Sequence, residues 1–158
     1  MPKAGLHRHI EGCVRADTVL DIARRRGLAL PTFDPAELEN IYKLRAPGAS
    51  LNEVLKMFNL AQASFYSYEE VERITHETLE DAYKKENIRL LELRYSPDFM
   101  LGPRGLDWQK ALDIIDATVS SFEKKSNMVC GVIVIASRSR GMESALKTID
   151  FTAANKKK

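Results

Sequence analysis

A chain of 158 residues with 44% hydrophobic content has the length of one domain and enough apolar material for a buried core, so a folded domain is expected. Its 24 basic and 22 acidic residues leave a net charge of +2, which lacks the electrostatic footprint of a dedicated nucleic-acid binder. Nothing approaches the roughly 18 apolar residues that span a bilayer, Met1-Pro2-Lys3-Ala4 carries no apolar signal region, and Cys13 and Cys130 lack a zinc-knuckle spacing. A soluble cytoplasmic protein with reduced thiols and no membrane or nucleic-acid partner is the expectation.

The first informative stretch is Leu6-His7-Arg8-His9-Ile10-Glu11-Gly12. In an extended strand alternate side chains share a face, so His7 and His9 project together with Glu11, while Leu6, Arg8 and Ile10 project the other way. Two imidazoles so placed can hold one metal ion, although the same spacing also suits histidines that bind nothing. A position at the end of a strand, before a helix, is where barrels and open parallel sheets place their chemistry.

Helical spacing of Val19, Ile22, Ala23 and Arg26 predicts a helix from about Ala16 to Arg26, stopped by Gly27. Asp34-Pro35-x-Glu37 opens a short helix through Leu38, Ile41 and Tyr42 that Pro47-Gly48 ends. Ser50 and Glu53 form a capping box ahead of the stripe Leu51, Val54, Leu55 and Phe58, in a helix running to about Phe65. Ser67 and Glu70 repeat the box and open a long helix with the stripe Val71, Ile74, Thr78 and Ala82, ending near Lys85, with His76 off its centre.

Ile88 to Tyr95 reads as a strand with Leu91, Leu93 and Tyr95 on one face and Glu92, Arg94 and Ser96 on the other. Pro97 to Gly105 is expected to be a loop, after which Asp107 caps a helix striped by Trp108, Ala111, Leu112, Ile115, Val119 and Phe122. Val129 to Ala136, apolar on both faces, suits a parallel strand covered on both sides. Ser137 to Gly141 follows as a loop, and Met142, Ala145, Leu146 and Ile149 begin a last helix. Strands alternating with helices predict right-handed βα units in a parallel sheet.

Several of these stretches together resemble the N-terminal part of the adenosine deaminase family, a branch of the metal-dependent amidohydrolases. The likeness rests on Pro2 to Gly12, the Ala23-Arg24-Arg25-Arg26-Gly27 helix end, the Leu51 to Phe58 helix, Leu91-Glu92-Leu93-Arg94-Tyr95-Ser96-Pro97 and the Ser137-Arg138 loop. It implies an α/β fold, a partial (β/α)8 TIM barrel of about three βα units with accessory helices after the first strand. It also implies zinc-dependent hydrolytic deamination of adenosine or a related purine nucleoside. By position, His7 and His9 would be zinc ligands and Glu11 would contact the substrate sugar. Leu51, Leu55 and Phe58 would line a hydrophobic gate over the purine, although their spacing equally suits plain core. Aspartate is common at the Glu11 position in adenosine enzymes, and relatives acting on modified adenosines share the glutamate.

Arg94 would orient an acid near the metal end or pair structurally with Glu92. A catalytic zinc site takes about three protein ligands, and the family draws its remaining ones from the second half of the barrel. The His-Ala-Gly-Glu motif, the later histidine and the Asp-Asp pair of that half do not occur in this sequence. The remaining histidine, His76, belongs to a helix. A barrel of about 250 residues and eight strands is thus expected to be represented by its first portion, residues 1–158, with no catalytic residue of its own. The alternative is a catalytically inactive truncated fragment, or one half of a split enzyme that needs a complementary half-barrel chain. Open sheet edges would also favour self-association.

Overall fold

Three parallel strands form the centre of the computed structural model, which describes residues 1–42 and 51–156, without the side chains of residues 51–54 and 56. They are β1 (Lys3–His9), β2 (Ile88–Tyr95) and β3 (Val129–Val134), paired in the order β1-β2-β3. Alternation in β2 works as expected: Leu91, Leu93 and Tyr95 are fully buried against the helical layer. The opposite face is open, and Leu90 and Val129, partners across β2 and β3, are 50% and 61% exposed.

Helix α1 (Ala16–Arg26) ends on Gly27, whose φ of 66° supplies the left-handed turn that side chains resist. Helix α2 (Pro35–Tyr42) begins on Asp34, whose Oδ1 accepts a hydrogen bond from the Glu37 backbone N–H at 2.8 Å. Helix α3 (Leu51–Gln62) stops before the expected end at Phe65, and the Pro47-Gly48 and Ser50 signals lie outside the described residues. In α4 (Tyr68–Lys84) the expected stripe is buried. The box at its start is rearranged, because the Ser67 hydroxyl donates to the Glu70 carboxylate, which is buried and also accepts from Arg26 at 2.9 Å.

Where a loop was expected after β2, the chain forms a short helix α5 (Pro97–Leu101) and a 3-10 turn, Gly102–Arg104. Proline at the first helical position needs no N–H partner, and burying Met100 and Leu101 favours helix over loop. Helix α6 (Trp108–Lys125) starts on Asp107, which accepts from the Lys110 N–H at 2.8 Å, and buries its stripe through Val119 against α4 and β3.

The expected loop after β3 contains a 3-10 turn, Arg138–Arg140. Helix α7 (Gly141–Asn155) then turns its apolar residues Met142, Leu146 and Ile149 outward. Its inner contacts are Ser144 donating to Asp98, Phe151 edge-on to Trp108 and Asn155 paired with Gln109. No helix among the described residues is long and apolar enough to cross a membrane.

Candidate functional site

The histidine pair lies at the C-terminal end of β1, but simple alternation does not put it there. The register with β2 slips between Gly5 and Arg8, and His7 takes a φ of 68° within that irregularity. A single residue in this conformation re-aims its side chain, as bulges beside functional sites do. The imidazole rings of His7 and His9 finish with their centroids 5.2 Å apart. Leu6 is left exposed while Ile10 is buried, so the two do not share one environment as expected. Arg8 goes elsewhere, to a two-pronged pair with Glu86 at 2.6 and 2.7 Å.

Glu11 sits not on the strand but on a 3-10 turn, Ile10–Gly12, that brings its buried carboxylate beside His9. Its Oε1 accepts the Ser96 backbone N–H at 2.7 Å, and its buried Oε2 has no hydrogen-bond partner among the described residues. That free oxygen is 3.9 Å from His9 Nδ1, beyond hydrogen-bond reach. Burial pushes the Glu11 carboxyl up to about 7, against the lowering effect of the Ser96 N–H. Burial also lowers the His9 pKa, helped by the neighbouring His7 and Arg94, which favours the neutral imidazole with its lone pair.

Phe58 of α3 presents its ring edge to His9, centroid to centroid 5.9 Å. Gly12 permits that approach, since a Cβ there would lie 3.1 Å from Phe58 Cζ. Leu55 is 47% exposed, and the Leu51 and Val54 side chains lie outside the described residues. His76 is exposed on α4, edge-on to Phe122 at 5.8 Å, in a groove of about 820 Å³ between α4 and α6. Arg94 comes alongside by strand pairing with His9, and its guanidinium meets His7 rather than an acid.

The sequence pattern missed two contributions. One is the Ser96 N–H that anchors Glu11, a backbone group with no residue-type signature. The other is the Arg94 contact with His7, for which the Glu-Leu-Arg alternation of β2 was the available signal. Two adjacent imidazoles suit a borderline ion such as zinc, which accepts histidine nitrogen readily. Among the described residues, no group of three His, Cys, Asp or Glu side chains converges to hold a metal. The histidines therefore fit a metal as part of a ligand set.

A sequence model of adenosine deaminase matches residues 2–158. This chain belongs to the adenosine deaminase family. An adenosine deaminase of Clostridium botulinum is 29% identical over 149 residues, covering 94% of the chain and 44% of the relative. One from Clostridium kluyveri is 29% identical over 150 residues, 95% of the chain and 42% of the relative. The chain thus spans less than half the length of these curated relatives.

Among solved structures, adenine deaminase from Arthrobacter aurescens superposes with a TM-score of 0.83 at 24% identity, over 97% of this chain and 45% of that one. A zinc-bound amidohydrolase from Burkholderia ambifaria gives 0.80 at 24%, over 98% and 41%. Arabidopsis ADAL complexed with GMP gives 0.74 at 26%, over 98% and 46%. The fold of this adenosine deaminase family member is accordingly α/β, part of a (β/α)8 barrel.

Proposed function

We propose that residues 1–158 are the N-terminal portion of an adenosine deaminase-like barrel domain and carry the first part of its zinc and substrate site. The reaction would be hydrolytic deamination of adenosine or a related purine nucleoside. The observation that carries this reading is the approach of the His7 and His9 rings to each other, with the buried carboxyl of Glu11 3.9 Å from His9, at the strand ends of a parallel sheet. His7 and His9 would hold the metal, whose contribution is to acidify water so that hydroxide is supplied near neutral pH.

The chain's own groups supply binding and orientation. Neutral His9 has a lone pair to give. Glu11, titrating near 7, can donate from its free oxygen to a sugar oxygen when protonated or accept from a sugar hydroxyl when ionised. The Phe58 ring, T-shaped against His9, excludes water from one side of it, and Leu55 on the same helix adds apolar surface suited to a purine. The GMP and IMP complexes of the Arabidopsis relative support a purine as the ligand.

The second reading is an inactive fragment or a split enzyme needing a complementary chain. Ammonia release from adenosine, measured with added zinc beside a His7→Ala, His9→Ala variant, separates the two. Release that disappears in the variant supports the deaminase reading for this chain. Absence of release, followed by its appearance when a polypeptide bearing a His-Ala-Gly-Glu segment is added, supports the split enzyme.

A further inference from the structure

Between the two histidines stands Arg8, whose guanidinium grips the Glu86 carboxylate with two hydrogen bonds, Nη1 to Oε1 at 2.7 Å and Nη2 to Oε2 at 2.6 Å. Glu86 lies in the turn between α4 and β2, and that turn is itself fastened to the start of β1. The Lys3 N–H donates to the Asn87 carbonyl at 3.0 Å, and the Asn87 side-chain amide donates to the Met1 carbonyl at 3.0 Å. The Cys13 thiol, just past the turn that carries Glu11, interacts with the same guanidinium. One turn thus holds β1 near both of its ends.

The grip falls where β1 is least regular. From the Gly5–Leu91 pair to the Arg8–Leu93 pair, β1 takes three residue steps against two in β2, so one extra residue bulges out. His7 lies inside that bulge at a φ of 68°, a conformation that persists only where neighbours enforce it. Arg8 is where pairing resumes, opposite the fully buried Leu93, and His9 follows it. A part-exposed ion pair adds little to stability, but a two-pronged guanidinium–carboxylate pair fixes direction as well as distance. Fixing Arg8 fixes the backbone on either side of it, from which the two imidazoles spring.

We propose, resting on the reading of His7 and His9 as metal ligands, that Arg8 and Glu86 are positioning residues whose pair holds the bulged end of β1 so that both imidazoles are presented to one ion. Sign separates positioning from charge. A nearby cation repels a divalent ion and a nearby anion attracts it, so by charge alone Arg8→Met would tighten metal binding and Glu86→Gln would weaken it. Positioning predicts that both substitutions weaken binding, each about tenfold, the low end of what groups supporting a metal ligand contribute. Because the pair acts as one, the double variant should bind no more weakly than either single variant.

The test is calorimetric titration of the metal-free protein with Zn2+, for the unmodified chain, Arg8→Met, Arg8→Lys, Glu86→Gln, the Arg8→Met, Glu86→Gln double variant and a His7→Ala, His9→Ala control. NMR of the same metal-free samples reads cross-relaxation between the His7 and His9 ring protons, whose ring centroids lie 5.2 Å apart. The expected result is tenfold weaker binding in both single variants, no further loss in the double one, and a fainter signal between the rings. Opposite signs, additive losses, unchanged affinity or an unchanged inter-ring signal, with binding still lost in the histidine control, overturn the clamp and leave the metal reading standing. Zinc binding that survives in the histidine control, or is absent from the unmodified chain, overturns the metal reading and the clamp with it. Arg8→Lys keeps the charge and loses the two-pronged geometry, so it decides if Arg8→Met does not fold: weaker binding upholds the clamp and unchanged binding overturns it.

Discussion

Glu11 carries a carboxyl almost wholly removed from water, with 1% of the residue exposed. Its carboxyl is buried, has one backbone donor, and titrates near 7. A carboxyl with a folded pKa above its unfolded value binds more protons in the native state between about pH 4.5 and 7, so stability falls as pH rises through that window. The full penalty, present above pH 7 and absent below the unfolded pKa, is about 3 kcal/mol for a shift of this size. Glu11→Gln keeps an acceptor for the Ser96 N–H and cannot ionise. Urea unfolding of the metal-free chain should therefore show the variant gaining on the parent from pH 5 to pH 8 by roughly that amount. A constant difference across this range would contradict the burial account. His9 runs the other way: its lowered pKa makes the native state lose stability as pH falls below about 6.5, which is why the comparison must be between the two proteins. The thiols give a further check at this scale. Burial pushes Cys13 up to about 11 and Cys130 up to about 12, so iodoacetamide at pH 8 should modify both far more slowly than a free thiol in a peptide. Rapid labelling of either would show that its surroundings open.

At the scale of elements, caps and stripes have separable costs. Asp107 accepts the Lys110 N–H at the start of α6, and Asp107→Ala should cost about 1 kcal/mol in chemical unfolding, with no change in metal binding. A loss near zero would mean that the Tyr68 hydroxyl, which accepts the Asp107 N–H at 2.9 Å, holds that end unaided. Gly12→Ala tests the other side of the site. The added methyl meets Phe58 Cζ at 3.1 Å, so the ring must give by about a few tenths of an ångström against His9, and the His9 ring-proton chemical shifts should change. The elements that were legible from the sequence are those whose periodicity is driven by burial: α1, α4, β2 and the stripe of α6 through Val119 follow their apolar spacing closely. Others were not, for physical reasons. Pro97 reads as a breaker, yet at the first turn of α5 it costs the helix nothing. The His7 distortion leaves no trace in composition, because a non-glycine residue at positive φ is imposed by its surroundings. The apolar residues of α7 announce a helix but not which face is covered, and here Phe151, Ser144 and Asn155 decide it.

At the scale of the whole molecule, the sheet and α7 present apolar surface that the relatives' greater length could cover. Leu90 and Val129 lie exposed side by side on the open sheet face, and Met142, Leu146 and Ile149 form an outward row on α7. Exposed apolar faces beside strand edges drive association. Light scattering on the isolated chain should show mass rising with concentration, and Val129→Lys with Leu146→Lys should suppress the rise. A monomer at every concentration would mean that these surfaces do not associate. The central claim is that the two histidines at the end of β1 act together as metal ligands, and zinc K-edge X-ray absorption on the zinc-loaded chain tests it most directly. The account predicts two imidazole nitrogens at about 2.0–2.1 Å from zinc, with the imidazole scattering lost in a His7→Ala, His9→Ala variant. A first shell without imidazole, or a spectrum unchanged by the substitutions, would contradict it.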